Sequence, residues 1–162
     1  RSDVGCVRPH NEDSYLVQSP LFCVCDGMGG HAAGEVASSI AVETIAKTAP
    51  QSADAARLAA AVEAANAAVI EAALNGLGKP GMGCTATCAY IENDTLAIAH
   101  VGDSRAYLLH EGTLIRVTRD HSYVEELVDA GEITADEAPA RWARTPLCMP
   151  TTSLCISRKA TV

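Results

Sequence analysis

Three short acidic segments, each placed where an apolar run gives way to a turn, constrain this chain more than any other feature. They are Arg8-Pro9-His10-Asn11-Glu12-Asp13, Asp26-Gly27-Met28-Gly29-Gly30-His31 and Gly102-Asp103-Ser104-Arg105. Carboxylates delivered from separate strand ends, with an Arg nearby, make the kind of site that a hard cation and a phosphate need. Mg²⁺ and Mn²⁺ take oxygen ligands and keep several waters. A guanidinium holds a phosphate through two parallel hydrogen bonds.

The segments between these motifs read as a strand pair, two helices and a strand meander. Residues 12–18 and 21–25 predict two short strands around Gln18-Ser19-Pro20. The continuous apolar run Leu21 to Cys25 predicts a strand buried on both faces that delivers Asp26 to its end. Val36, Ile40 and Ile45 lie near one stripe of a helix over 32–48. A second, Ala-rich helix is expected over 53–74, with Ser52 as its N-cap and Gly76 as its stop. Strands follow over 84–91, 95–101, 106–110 and 114–118. They are separated by Glu92-Asn93-Asp94, Gly102-Asp103-Ser104-Arg105 and Glu111-Gly112, the turn chemistry of antiparallel hairpins. A helix over 122–130 ends at Gly131, and Thr134-Ala135-Asp136-Glu137 looks like a short helix start. This order implies an α+β layered domain.

Composition narrows the partners. A chain of 162 residues with 48% apolar residues is one globular domain, and with aromatics at only 4% its core rests on Ala, Val, Ile and Leu. The net charge of −8 argues against nucleic acid or an anionic membrane surface. The longest weakly polar run, 58–74, carries Glu63, Asn66 and Glu71 and does not read as a membrane span. Seven cysteines without a CxxC pair suit small buried residues in a reducing cytoplasm rather than a thiolate metal site. The start at Arg1-Ser2-Asp3, with no signal peptide or initiator Met, is expected of a chain that begins inside a longer one.

The three motifs resemble the bacterial form of the metal-dependent serine/threonine phosphatases of the PP2C (PPM) family. Further matches are Gly81-Met82-Gly83-Cys84-Thr85, His100-Val101-Gly102-Asp103-Ser104-Arg105-Ala106-Tyr107, Thr118-Arg119-Asp120-His121-Ser122 and the stretch from Glu126 to Thr134. The resemblance sharpens the fold to a PP2C-like sandwich of two antiparallel β-sheets flanked by α-helices. It assigns residues 1–138 to the N-terminal portion of the phosphatase domain. It implies hydrolysis of phosphoserine and phosphothreonine by a metal-activated water, with Mn²⁺ or Mg²⁺ as cofactor: two ions and a third, weaker one. The implied partners are a phosphorylated protein and the serine/threonine kinase that opposes the enzyme.

Site roles follow from the same resemblance. Asp26 bridges two cations, and the Gly27 carbonyl binds one of them. Glu12 and Asp13, adjacent on a strand and so facing opposite ways, hold metal-bound waters. Arg8 holds the substrate phosphate. Asp103 supports the third metal, against the plainer reading of a Gly-Asp-Ser hairpin turn, and Ser104 and Arg105 shape that turn. The general acid is unassigned among His10, His31, His100, His110 and His121, because Met28 stands where animal members carry a His. His100 and His121 are expected to be structural. Gly81-Met82-Gly83 lacks the Lys of a phosphate loop and reads as a turn.

The resemblance stops after Ala138. Residues 139–162 form a divergent tail with the single Trp, two of the seven Cys, four basic residues and no Asp or Glu. A truncated or shifted reading frame, or an incorrectly recorded sequence, accounts for such a tail. The two aspartates the family supplies from later in its domain have no counterpart, since Asp120, Asp129 and Asp136 belong to other motifs. The chain is therefore expected to be an impaired phosphatase, prone to self-association through uncovered sheet edges. The alternative is a non-catalytic PP2C-like module that binds a regulatory partner.

Overall fold

A computed structural model describes residues 2–6, 9–30, 32–138, 155–156 and 160–161. The chain begins with β1 (Asp13–Gln18), β2 (Leu21–Met28), α1 (Ala32–Thr48) and α2 (Ala55–Leu74). Then come β3 (Gly83–Cys84), β4 (Ala86–Glu92), β5 (Thr95–Val101), β6 (Tyr107–His110), β7 (Thr113–Arg116) and α3 (Tyr123–Asp129). The short strands β8 (Cys155–Ile156) and β9 (Ala160–Thr161) close the described chain. The main sheet has the order β1-β2-β4-β5-β8, with β3 also on β2 and β9 also on β5, and every pairing is antiparallel. A separate hairpin joins β6 and β7. The α+β class with antiparallel sheets and helices is as the sequence predicts.

The core lies between the sheet and the two long helices. Leu21, Cys23 and Cys25 of β2, Cys88 and Tyr90 of β4, and Ala97 and Ala99 of β5 meet Ala37, Ala41 and Ile45 of α1 and Leu58, Val62 and Val69 of α2. Alanines along both helices let their axes approach closely. The four thiols of Cys23, Cys25, Cys84 and Cys88 sit on this inner side, and those of Cys23, Cys25 and Cys84 lie far above the ordinary thiol range. Hydrogen bonds among the thiols act in both directions: Cys25 lowers Cys23 while Cys88 raises it, Cys23 raises Cys25 while Cys84 lowers it, and Cys25 raises Cys84; burial raises all three. Buried, protonated thiols of this kind are inert.

Three local expectations are corrected. β2 is not buried on both faces: Cys23 and Cys25 are buried, but Val24 is 51% exposed, with its neighbours Tyr15 at 52% and Val17 at 72%. The helices cover one face, and among the described residues little covers the other. Next, α2 is capped by Asp54, not Ser52. Asp54 Oδ1 accepts from the N–H groups of Ala56 and Arg57 at 3.0 and 3.1 Å, while the N–H of Ala53 donates to Glu92 Oε2 at 3.1 Å. Finally, Asp26 lies inside β2, because β3 pairs with Gly27 and Met28 and carries the strand beyond it.

Candidate metal centre

Asp13 and Asp26 are direct partners across β1 and β2. Direct antiparallel partners present their side chains on one face, with Cβ atoms about 4.5–5.5 Å apart. The two carboxylates therefore share a face, and both residues are exposed. The Asp13 N–H donates to Asn11 Oδ1 at 3.1 Å, and its carboxylate accepts from the Ser2 hydroxyl at 3.0 Å.

Glu12 faces the opposite way, toward α1. Its carbonyl accepts the Gly27 N–H at 3.1 Å and the Ser38 hydroxyl at 2.7 Å. Its carboxylate lies against Gly34, where a Cβ would run into Oε2. A Cβ on Gly27 would strike the Gly34 carbonyl and stand 2.6 Å from that of Glu12. Only glycine at both positions lets α1 seat itself against the β2 peptide that carries the candidate carbonyl ligand. Ser38, fully buried, also bonds Ser14 Oγ at 2.9 Å and so fastens β1 to α1.

Thr85 occupies the break between β3 and β4. The pairs Val24–Thr87 and Gly27–Cys84 share one register, which sets Thr85 opposite Asp26. The Thr85 N–H donates to the Asp26 carbonyl at 2.8 Å, and the Asp26 N–H donates to Thr85 Oγ1 at 3.1 Å. Thr85 Oγ1 is also 2.8 Å from Ser104 Oγ, next to Asp103.

The Gly102–Arg105 turn is held from beneath by two histidines and an ion pair. His100 Nε2 donates to the Gly102 carbonyl at 3.0 Å, which leaves Nδ1 to accept from the Thr87 hydroxyl at 2.9 Å. The His121 N–H donates to that same carbonyl at 2.8 Å, and the ring centroids of His100 and His121 are 5.1 Å apart. Burial holds both imidazoles below their usual pKa; His121 lowers His100 further, and Arg119 lowers His121 further. These contacts support the structural reading of both residues. Arg105 grips the buried carboxylate of Asp120 through Nε, at 3.0 and 3.1 Å, and Nη2, at 2.6 Å, which raises the guanidinium pKa. Arg105 thus supports the turn, as expected.

The structure brings Glu12, Asp13, Asp26 and Gly27 together at one end of β1 and β2 and ties the Asp103 turn to them through Thr85. Arg8 and His31 lie outside the described residues. His10 and His110 are exposed. Among the described residues, no three acidic, His or Cys side chains converge closely enough to hold an ion alone. The donor set fits a hydrated Mg²⁺ or Mn²⁺ bound through one or two carboxylates and waters: it is all oxygen, with two carboxylates on one face. Sequence reasoning passed over Thr85, Gly34 and Ser38. The available signals were a threonine just before the largely apolar run that follows Gly81-Met82-Gly83-Cys84, and two small residues one helical turn apart.

The model of the family described as protein phosphatase 2C matches residues 2–127. The chain belongs to the protein phosphatase 2C family. Among protein phosphatase 2C relatives, it is 43% identical over 141 residues to the serine/threonine protein phosphatase PstP of Mycobacterium tuberculosis, covering 85% of this chain and 27% of that protein. It is 39% identical over 150 residues to the serine/threonine phosphatase stp of Listeria welshimeri, covering 85% of this chain and 60% of that one. The catalytic domain of PstP, solved in complex with two manganese ions, superposes with a TM-score of 0.77 at 43% identity, covering 85% of this chain and 61% of that one. The chain thus spans less than two thirds of the length of each of these relatives.

Proposed function

We propose that this chain is the N-terminal portion of a metal-dependent phosphatase domain that hydrolyses phosphoserine and phosphothreonine in proteins. The observation that carries this reading is the face-sharing pair of Asp13 and Asp26, inside the region that matches the family. In this reading Asp26 and the Gly27 carbonyl bind Mn²⁺ or Mg²⁺. Glu12 and Asp13 orient bound waters, Asp103 supports a weaker third ion, and Arg8 receives the substrate phosphate. The ions supply polarisation of the attacking water and of the phosphoryl oxygens. The chain's own part is to fix the carboxylates and the Gly27 peptide in place before any ion arrives.

The reading extends to partners and limits. The substrate is a phosphorylated protein, and a serine/threonine kinase supplies it. Residues 1–138 act as the phosphatase portion, and 139–162 as a tail of different character. Ligands beyond the described residues complete the centre, so turnover by this chain alone is low. The exposed Tyr15, Val17 and Val24 favour self-association at high concentration. Among the described residues, no helix is long and apolar enough to cross a membrane. The absence of a three-ligand cluster among the described residues also favours a second reading, a non-catalytic module that binds a regulator.

The test is hydrolysis of para-nitrophenyl phosphate with excess Mn²⁺, beside Asp26→Ala. Mn²⁺-dependent turnover that disappears in Asp26→Ala supports the phosphatase. Mn²⁺ binding without turnover favours the non-catalytic module.

A further inference from the structure

We propose that Thr85 is a positioning residue: a strut that sets the distance between the strand carrying Asp26 and Gly27 and the turn carrying Asp103. The proposal rests on the metal-centre reading above. Thr85 is buried, and its one hydroxyl serves both sides of the site. It accepts the Asp26 N–H at 3.1 Å, taking the place a backbone carbonyl would fill in an unbroken ladder, and it pairs with Ser104 Oγ at 2.8 Å. The hydroxyl accepts from Asp26 with one lone pair and keeps its proton and its second lone pair for Ser104, so a continuous chain runs from the Asp26 N–H through Thr85 Oγ1 to Ser104 Oγ, whichever hydroxyl donates in the outer bond.

The threonine methyl has a separate task. A Cβ on Gly102, whose φ is +103°, would stand 2.7 Å from Thr85 Cγ2, so the methyl packs directly beneath the turn. The two halves of one side chain can therefore be tested apart. Thr85→Val keeps the shape and removes the hydroxyl. Thr85→Ser keeps the hydroxyl and removes the methyl.

The experiment measures hydrogen–deuterium exchange of the metal-free chain and, separately, Mn²⁺ affinity by titration. Thr85→Val is expected to speed exchange at Asp26 and at residues 102–104 together, by about tenfold. It should weaken Mn²⁺ binding about 10- to 100-fold, the usual effect of losing a group that orients a ligand. Thr85→Ser is expected to stay within about threefold of wild type on both counts. A packing role alone reverses the order, with Thr85→Ser the more damaged. That reversal, or wild-type exchange at 102–104 in Thr85→Val, overturns the strut.

If Thr85→Val does not fold, Ser104→Ala decides the matter, since it cuts only the outer half of the chain. Faster exchange at 102–104 with Asp26 unchanged supports the strut, and unchanged exchange at both overturns it. A wild-type chain that binds no Mn²⁺ overturns the metal reading instead, and the exchange results then judge the strut on their own.

Discussion

Gly34 of α1 lies against the peptide of Gly27 in β2 so closely that neither residue has room for a Cβ, and the Glu12 carboxylate closes the third side of the contact. This crossing fixes the depth at which α1 sits beneath the candidate site. Gly34→Ala should force the helix or Glu12 aside. Overpacking of this kind costs about 1–3 kcal/mol, and urea denaturation of the variant should show a lower midpoint with an unchanged slope. A wild-type midpoint would mean that Glu12 swings away without cost.

Ser38 tests the same support from the side of hydrogen bonding. Its buried hydroxyl bonds the Glu12 carbonyl at 2.7 Å and Ser14 Oγ at 2.9 Å. Ser38→Ala leaves both without that partner, a loss of about 1–3 kcal/mol. Thermal melting of the variant checks this.

Arg105 and Asp120 make a grip in which one partner is half-exposed and the other buried, with side-chain exposures of 44% and 1%. Removing the exposed partner leaves the buried charge, among the described residues, with Arg116 at 3.9 Å as its remaining ion pair. Arg105→Ala should therefore destabilise by about 3 kcal/mol, and Asp120→Asn by less, because no orphaned carboxylate remains. Paired denaturation curves give the order, and the reverse order would contradict the account.

His100 gives the pH dependence its sign. It is 2% exposed, and burial lowers its pKa below the usual 6.5; the His121 ring works in the same direction, while Asp120 and the hydrogen bonds to the Gly102 and Arg119 backbone oppose it. The unfolded chain therefore binds this proton more readily than the folded one. Stability should fall as pH drops through about 6.5 and level off once the folded-state pKa is passed. Melting temperatures between about pH 7.5 and pH 5 should trace that decline, and His100→Gln should flatten part of it. An equal slope in His100→Gln would assign the decline to other groups.

Much of this arrangement was legible in the sequence because its signals are local. Asp-Gly and Gly-Asp-Ser mark turns, alternation along β1 separates Glu12 from Asp13, and alanine spacing marks two packed helices. What stayed hidden depends on contacts between segments far apart in the chain. Asp26 is not the last residue of β2 because β3 arrives to pair with Gly27 and Met28, and no feature of residues 21–28 announces that strand. The exposed face at Val24 was read as buried, since an apolar run does not record whether a second layer covers it. Asp54 displaced Ser52 as the cap of α2 where Glu92, on a distant strand, tethers Ala53. Thr85 stands in a matched motif but carries no role in the sequence reading, because that role is defined by Asp26 and Ser104, each far from it in sequence.

The central claim is that the paired ends of β1 and β2 hold a divalent cation through Asp26. Mn²⁺ titration of the 162-residue chain and of Asp26→Asn, followed by calorimetry, tests it most directly. The account predicts wild-type binding with a dissociation constant on the order of 10⁻⁴ to 10⁻³ M, weakened at least about tenfold in Asp26→Asn. Equal binding by the two proteins would place the ion elsewhere and contradict the account.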